Sequence, residues 1–203
     1  MLLCTPYVSP SPFDYKAYAT ALRKRGNLLG HTHIVVSTVE NEAEAYEFGS
    51  ELSDLFLSSS FVALAAKERG PIQLANDLFR AACRRVATYK HAEGELPNPA
   101  MLYMAPDYAP TTNGWLDLIQ SEYYLRQAPL VMGRFSEDNL IVGPVVLGRE
   151  FFKSSGLLPF IPDNVHYRNY LQHELASSSV STNLIGPGSK DSVLRQTPSK
   201  KTA

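Results

Sequence analysis

The chain has 203 residues, 44% hydrophobic and 19% charged, a composition typical of a soluble globular protein with one core. A net charge of −1, from nineteen basic and twenty acidic residues, provides no general electrostatic attraction for nucleic acid or for a membrane surface. Cys4 and Cys83 are the only cysteines, which excludes a disulfide framework and a cysteine zinc site, and no apolar stretch is long enough for a signal peptide or a membrane span.

The N-terminal segment predicts an extended arm followed by a helix. Residues 1–12 are rich in proline and serine, which favours an arm without regular structure. Residues 13–25 carry Tyr15, Tyr18 and Leu22 at nearly helical spacing and end in basic side chains that suit a helix C-terminus.

The next segment predicts two strands and a helix between them. Residues 33–39 are β-branched and almost continuously apolar, as in a strand buried on both faces of a parallel sheet. An acidic helix follows from residue 42 to about residue 57, and the serines at positions 58–60 end it. Residues 61–65 form a second candidate strand, although their apolar run also fits a helix.

The central part of the chain places a single carboxylate after a short apolar strand. A helix from Ile72 to about Lys90 begins beside a proline, and residues 101–104 then predict a buried strand. Ala105-Pro106-Asp107 ends that strand, and Trp115 begins an amphipathic helix. Since ligands bind outside the carboxyl ends of strands in open α/β sheets, Asp107 is a candidate site residue.

The remaining segments complete an alternation of strands and helices. Residues 129–133 and 140–147 predict strands, residues 149–154 and 165–175 predict helices, and the polar residues after 175 predict a tail. This alternation predicts a three-layer α/β/α sandwich, Rossmann-like, with a mostly parallel central sheet. We expect an N-terminal arm and helix over residues 1–30, one domain over residues 31–175 and a low-complexity tail over residues 176–203.

Polar residues stand at several of the predicted strand ends. No Walker A motif, Gly-x-Gly-x-x-Gly motif or Gly-x-Ser-x-Gly elbow is present, and the histidines do not have zinc-site spacing. Glu40 and Asn41 follow the first strand, Asp107 follows the central strand, and Asp163 and Asn164 precede the last helix. Taken singly, each fits a turn or a helix cap. Together they coincide with the ligand-binding edge of such a sheet.

Several segments, in this order, carry a resemblance to a known family: THIVVSTVENEAEA, GPIQLANDLFRAA, MLYMAPDYAPTTNGWLDLIQSEY, LVMG, NLIVGPVVLGREFF and HYRNYLQHEL. Their order over residues 32–175 resembles the GT-A fold of nucleotide-sugar glycosyltransferases, particularly small family-two-like members of phages and bacteria. The third segment is similar to the strand and turn that hold an Asp-x-Asp-like metal motif. Ala105 occupies the first acidic position, so Asp107 alone is left.

The resemblance implies a glycosyltransferase that moves a sugar from a nucleoside-diphosphate sugar to an acceptor. Asp107 would hold Mg²⁺ or Mn²⁺, because one carboxylate suffices for an ion that takes its other ligands from diphosphate and water. Thr38 and Glu40 would line the pocket for the base and ribose. Gln73 and Asn76 would lie close to the sugar or the diphosphate.

The resemblance also implies a base that deprotonates the acceptor hydroxyl in an inverting displacement. Asp163 is the candidate because it follows the acceptor-side segment, and Glu137 and Asp138 are its rivals. His166 is an alternative base or an additional metal ligand. The acceptor itself stays open among a glycan, a protein and a modified DNA base.

Two further interpretations compete with an enzyme. Ala105 and the low-complexity tail favour a non-catalytic GT-A-like viral structural or decorating protein, which would bind a protein partner through residues 1–12 and 176–203. A nucleotide-binding α/β domain of another superfamily also shows this alternation. We expect no membrane partner and a cytoplasmic location, or the host cytoplasm or virion for a viral protein.

Overall fold

A computed structural model describes residues 1–11, 13–26, 28–65, 69–89, 100–127, 131–135, 141–148, 151–152, 161–162, 164–175, 179–185 and 192–196. The strands are β1 (Leu2–Pro6), β2 (Leu28–Thr38), β3 (Phe56–Leu64), β4 (Met101–Tyr103), β5 (Tyr108–Pro110), β6 (Val131–Phe135), β7 (Ile141–Leu147), β8 (Ser179–Ser181) and β9 (Leu194–Gln196). The helices are α1 (Tyr15–Lys24), α2 (Glu42–Glu51), α3 (Pro71–Ala87), α4 (Trp115–Leu125) and α5 (Tyr167–Leu175), with short 3-10 turns at Val39–Asn41 and Ser53–Leu55.

Seven strands form the main sheet in the order β3-β2-β1-β4-β7-β6-β8, and β5 pairs with β9 in a small second sheet. Strands β3, β2, β1 and β4 are mutually parallel, and β6 is parallel to β8. Only β7, among the strands described in the main sheet, runs antiparallel to its neighbours β4 and β6. The predicted mostly parallel sheet is confirmed.

Helices cover both faces of this sheet. Successive residues of a strand point to opposite faces, and Leu3 and Cys4 of β1 accordingly belong to two separate apolar cores. The core around Leu3 is formed with helices α1, α2 and α4, and the core around Cys4 is formed with α3 and α5. The three-layer α/β/α sandwich is therefore confirmed. None of the helices described is long and apolar enough to cross a membrane.

The predicted N-terminal arm is wrong for residues 2–6, which form β1 at the centre of the sheet. Leu2 pairs in parallel with Thr32 of β2 on one side and with Met101 of β4 on the other. The apolar run at the start of the chain is short, and the prolines and serines that follow it dominate the composition of residues 1–12. That composition describes the loop after β1 and conceals the strand itself.

The prediction that Ser58 to Ser60 end a helix is also wrong. Helix α2 ends at Glu51, and the serines lie inside strand β3, where Ser59 pairs with His33. Strand β3 stands at the edge of the described sheet, where Ser59 is exposed and Ser58 and Ser60 are half-buried. The hydroxyl oxygens of Thr32 and Ser58 lie 3.0 Å apart and join the two strands further.

Part of the predicted tail belongs to the two sheets. Strand β8 pairs with β6, and β9 pairs with β5. Ile185, Val193 and Leu194 are buried in the core on the α1, α2 and α4 face. A few apolar residues are sufficient here because strand pairing satisfies the backbone at the same time. Residues on both sides of the predicted 31–175 domain thus take part in its sheets.

A buried histidine in β2 makes the stability of this fold depend on pH. The His33 ring stacks on Phe56 with ring centres 4.8 Å apart, and its Nε2 lies 3.2 Å from the hydroxyl oxygen of Thr5. Its Nδ1 is buried and finds no hydrogen-bond partner among the residues described. Burial lowers the pKa of His33 to about 3, so folding requires the neutral ring.

We expect the free energy of unfolding to decrease as the pH falls from 6.5 towards about 3, because His33 takes up a proton in the unfolded chain before it does so in the folded chain. His33→Phe keeps an aromatic ring against Phe56 and removes the titrating group. The variant should therefore lose up to about 1.4 kcal/mol per pH unit of this dependence, measured by urea unfolding between about pH 4.5 and neutrality. An unchanged slope would contradict the assignment.

Candidate functional site

The chain changes direction within the main sheet between β1 and β4. From β1 it proceeds to β2 and β3 on one side, and it then returns to place β4 on the other side. Such a switch point opens a crevice at the carboxyl ends of the parallel strands. Tyr7 follows β1, Thr38 ends β2 and Asp107 follows β4, so these residues mark the crevice edge.

Asp107 presents an unsatisfied carboxylate oxygen just past β4. The backbone N–H of Met104 still donates to the carbonyl of Cys4, and a turn then brings the N–H of Tyr108 to the carbonyl of Ala105 at 3.2 Å. Asp107 Oδ1 is buried and has no hydrogen-bond partner among the residues described. Burial raises the pKa of Asp107, and the nearby Arg168 partly counteracts that increase.

This carboxylate fits a divalent cation as one protein ligand. Hard cations such as Mg²⁺ prefer oxygen ligands and often bind through one or two carboxylates together with substrate phosphates. The unpartnered Oδ1 of Asp107 offers one such oxygen. Within the described part of the chain, no group of three His, Cys, Asp or Glu side chains could hold a metal ion.

Tyr167 and Arg168, at the start of α5, stand next to the end of β4. The Tyr167 ring stacks on Phe79 of α3 at 4.3 Å and meets Tyr103, the last residue of β4, edge-on at 5.6 Å. Arg168 Nε donates to the hydroxyl of Tyr167 at 3.2 Å. Burial alone would lower the pKa of Arg168, but Tyr167, Asp107 and other neighbours outweigh it and raise the pKa, so this residue stays charged.

Asn76 holds the loop before α5 in place. Its side chain is fully buried, and its Nδ2 donates to the carbonyls of Pro162 at 3.3 Å and Val165 at 2.8 Å. Its Oδ1 accepts from the backbone N–H of Tyr167 at 2.8 Å. These bonds engage both the nitrogen and the oxygen of the Asn76 amide. The geometry thus favours a positioning role for Asn76 over the predicted direct contact with the sugar or diphosphate.

A second side chain of α3 supports the same loop. Arg80 donates to the carbonyl of Ile161, and Arg80 Nη1 lies 2.8 Å from Asp77 Oδ1. The other oxygen of Asp77 accepts from Arg69 Nε at 2.6 Å. Gln73 is half-buried one turn before Asn76 on α3, and the hydrogen bonds of Asn76 and Arg80 connect this helix to Ile161, Pro162, Val165 and Tyr167. Helix α3 therefore holds the described residues that precede α5.

His166 is neutral and has a defined tautomer. Its Nδ1 accepts from the backbone N–H of Arg168 at 3.3 Å, so the ring proton resides on Nε2. Burial and the charge of Arg168 lower the pKa of His166 to about 4. A group with that pKa is a weak base at neutral pH, and the geometry favours hydrogen-bond donation from Nε2. Asp163, Glu137 and Asp138 lie outside the described residues.

Thr38 and Glu40 stand together at the end of β2. Thr38 is buried, whereas Glu40 is exposed in the 3-10 turn that follows. Its own backbone N–H, the Thr38 hydroxyl and the charge of Arg69 lower the pKa of Glu40, so the carboxylate is ionised. The side-chain amide of Asn41 joins this turn to the loop after β1. Its oxygen accepts from the backbone N–H of Ser9 at 3.1 Å, and its nitrogen donates to the backbone carbonyl of Ser9 at 3.2 Å.

Tyr7 is a further candidate site residue, which the sequence does not indicate because residues 1–12 read as an arm. The backbone N–H of Tyr7 donates to the carbonyl of Val36, which extends the pairing with β2. Its ring stacks on Tyr15 at 4.2 Å, and its hydroxyl donates to Glu44 Oε2 at 3.3 Å. A cavity of about 380 Å³ opens beside this ring, lined by Tyr7, Asp14, Tyr15, Lys16, Glu44, Glu47, Phe48 and Glu51.

GT-A-type glycosyltransferases share this fold. The mannosyltransferase PcManGT from Pyrobaculum calidifontis, solved with GDP-Man and Mn²⁺, matches with a TM-score of 0.60 at 14% identity, over 99% of this chain and 57% of its own. S. aureus TarS matches with a TM-score of 0.58 at 9% identity, over 97% of this chain and 60% of its own. The galactosyltransferase LgtC, in complex with donor and acceptor sugar analogs, matches with a TM-score of 0.58 at 11% identity, over 98% of this chain and 88% of its own.

These structures establish the fold that the sequence resemblance implied. No protein-family model matches the sequence, and no curated protein matches it either. The chain spans only about three fifths of the length of PcManGT and TarS. Its activity therefore has to be argued from its own crevice residues.

Proposed function

We propose that the protein is a glycosyltransferase that uses a nucleoside-diphosphate sugar and a divalent metal. The observation that supports this most directly is Asp107 Oδ1, a buried carboxylate oxygen for which the described part of the chain offers no hydrogen-bond partner. It stands at the carboxyl end of β4, at the switch point of a GT-A sheet. Burying an ionisable oxygen without a partner costs free energy. A ligand-binding site is expected to carry such a cost, because its polar groups find their partner only in the ligand.

The donor would lie across the carboxyl ends of β1, β2 and β4. Glu40, an ionised carboxylate after β2, is suited to accept hydrogen bonds from ribose hydroxyls, and Tyr7 provides an aromatic ring after β1. Gln73 of α3 is our candidate for contact with the sugar or diphosphate. Neighbouring structures support a donor of this class, since PcManGT was solved with GDP-Man and Mn²⁺ and TarS was solved with UDP.

Asp107 would hold the Mg²⁺ or Mn²⁺ ion, and the bound ion would supply charge to neutralise the departing diphosphate. His166 fits that ion poorly, because its Nδ1 already accepts a hydrogen bond and its Nε2 carries the proton. We therefore assign the protein's contribution to the metal site to Asp107 alone. Diphosphate and water would complete the coordination.

Asp163 remains our candidate for the base. In the transfer, the bond between the sugar C1 and the diphosphate oxygen breaks with its electron pair left on the diphosphate, while the acceptor oxygen bonds to C1. The hydroxyl proton would pass to the Asp163 carboxylate. Asn76 and Arg80 hold the carbonyls of Ile161, Pro162 and Val165, which stand on either side of position 163 in the sequence. The acceptor class, a glycan, a protein or a modified base, follows from no residue described.

Thermal denaturation with UDP-, GDP- and CDP-sugars tests the proposal, each with and without Mn²⁺. A donor at about 100 times its dissociation constant adds about 2.7 kcal/mol of stability, which raises the Tm of a chain of this size by about 5–10 °C. We expect one donor class to give such a shift with Mn²⁺ and to release its nucleoside diphosphate slowly on incubation. No shift with any donor would contradict the proposal and favour a non-catalytic protein with a GT-A fold.

A further inference from the structure

We propose that Arg168 binds the phosphate oxygens of the donor diphosphate opposite Asp107, so that a guanidinium shares the neutralisation of the leaving group with the metal. The inference rests on the proposed function and adds a phosphate-binding residue to the same site. It concerns a residue that the sequence interpretation did not select.

The position of Arg168 is fixed by a chain of contacts. Its Nε donates to the hydroxyl of Tyr167, and its Cζ lies 5.7 Å from the centre of the Tyr167 ring. Tyr167 is buried and is itself held by ring contacts with Phe79 and Tyr103, and by its backbone N–H donating to Asn76 Oδ1. The guanidinium is thus placed next to the end of β4 before any ligand arrives, which reduces the entropy lost on binding.

Among the described residues, the guanidinium of Arg168 keeps donors without a partner in that position. Arg168 Nε has a partner, but the described residues offer its two terminal nitrogens no hydrogen bond. Asp107 is close enough to interact electrostatically with Arg168, yet the two form no direct ion pair among those of the described chain. A fixed cation and a partly buried carboxylate with an unpartnered oxygen therefore stand near each other without contact.

A diphosphate bound with a metal ion satisfies both groups at once. Phosphate oxygens accept charge-assisted hydrogen bonds from a guanidinium, and they also coordinate a cation that Asp107 can hold. Ala105 supplies no second carboxylate, so the site carries less negative charge to repel a phosphate. The missing carboxylate weakens the metal site, so a cationic side chain contributes more to neutralising the diphosphate. Arg168 is suited to the role because a guanidinium stays charged at every physiological pH.

Calorimetric titration with nucleoside diphosphates, their nucleosides and inorganic pyrophosphate tests the inference, in EDTA and in Mn²⁺. We expect the wild-type chain to bind UDP or GDP more tightly than the matching nucleoside even in EDTA. Arg168→Met should weaken binding of the diphosphate by about tenfold to a hundredfold and leave binding of the nucleoside unchanged. Arg168→Lys keeps the charge and loses the fork of donors, so its affinity for the diphosphate should lie between those of the wild type and Arg168→Met.

Arg126→Met is the matched control, because Arg126 is exposed on α4 and pairs only with Glu122 among the residues described. It should bind all ligands as the wild type does. Equal loss of nucleoside and diphosphate in Arg168→Met would mean that Arg168 only supports the fold, and an unchanged diphosphate affinity would overturn the inference directly. Absence of any phosphate binding by the wild type would overturn it as well.

The same titrations separate this inference from the proposed function. If Arg168-dependent binding of pyrophosphate and nucleoside diphosphate is found but no donor sugar is ever turned over, the transferase proposal fails while the phosphate site stands. If donor sugars are turned over and Arg168→Met leaves the KM for the donor and its metal dependence unchanged, the phosphate site fails while the transferase stands.

Discussion

Replacing Asp107 by Asn is expected to reduce glycosyl transfer by at least about a hundredfold, because charge stabilisation by a metal is worth several kcal/mol in the transition state. The amide keeps the shape of the side chain and loses the negative oxygen that fits the cation. Activity should be measured as nucleoside diphosphate released over a titration of Mn²⁺. The remaining activity should no longer increase with Mn²⁺ in the range that saturates the wild type.

The same replacement should leave the fold intact. Burial raises the pKa of Asp107, which means that the folded chain bears a cost for the charged form, and Asn removes that cost. The metal-free variant should therefore have a Tm no lower than that of the wild type. Asp54→Asn is the chemical control, since Asp54 pairs with Arg23 at the surface and should change neither activity nor Tm appreciably. Unchanged metal dependence in the Asp107 variant would contradict the assigned ligand.

Asn76→Leu should have the largest effect on stability of any single change at this site. It leaves the carbonyl of Val165 and the N–H of Tyr167 without partners in a buried environment, and each such group costs about 1–3 kcal/mol. We expect the free energy of unfolding in urea to fall by about 2–4 kcal/mol. Asn169→Ala, an exposed position on α5, is the control and should change it by less than about 0.5 kcal/mol.

Asn76→Asp distinguishes the hydrogen bonds from the volume of the side chain. A carboxylate still accepts from the N–H of Tyr167, but it repels the carbonyls of Pro162 and Val165 until it is protonated. The folded state should therefore raise the pKa of the introduced Asp. Because stability gained from a raised pKa is present at low pH and lost as pH rises, the variant should approach the wild type in acid and be destabilised at neutral pH. Equal stability at both would contradict a role for these bonds.

The sequence predicted the layered fold well because its evidence is local. Continuous apolar runs at β2, β4 and β7 and the spacing of α3 follow from the faces that each element buries. Strand β1 escaped prediction because its short run is recognisable only by its partners on β2 and β4, which are distant in sequence. The edge strands β8 and β9 escaped for the same reason.

For the candidate site, the sequence indicated Asp107 and the end of β2, both of which lie at the carboxyl edge of the sheet, but it indicated neither the burial of Asn76 nor the position of Arg168. Asn76 is a polar residue on the face of α3 that also carries Leu78, Phe79 and Ala82, and that pattern could have indicated a buried hydrogen-bond hub. Arg168 has no such signal, because an arginine in an amphipathic helix normally indicates a solvated face. Its place beside Asp107 depends on the packing of Tyr167 against Phe79 and Tyr103, which spacing along the chain does not reveal.

The central position of β1 has a consequence for how the chain reaches its native state. Strands β1, β2 and β3 follow one another and can assemble as a local unit, whereas the β1–β4 pair joins Leu2 to Met101 across α1, α2 and α3. Contacts between residues so far apart form late and slow the overall rate. The β1–β4 pair, with the crevice at its carboxyl end, would then be the last part of the sheet to form. A refolding chain should acquire secondary structure before it acquires any affinity for nucleotide.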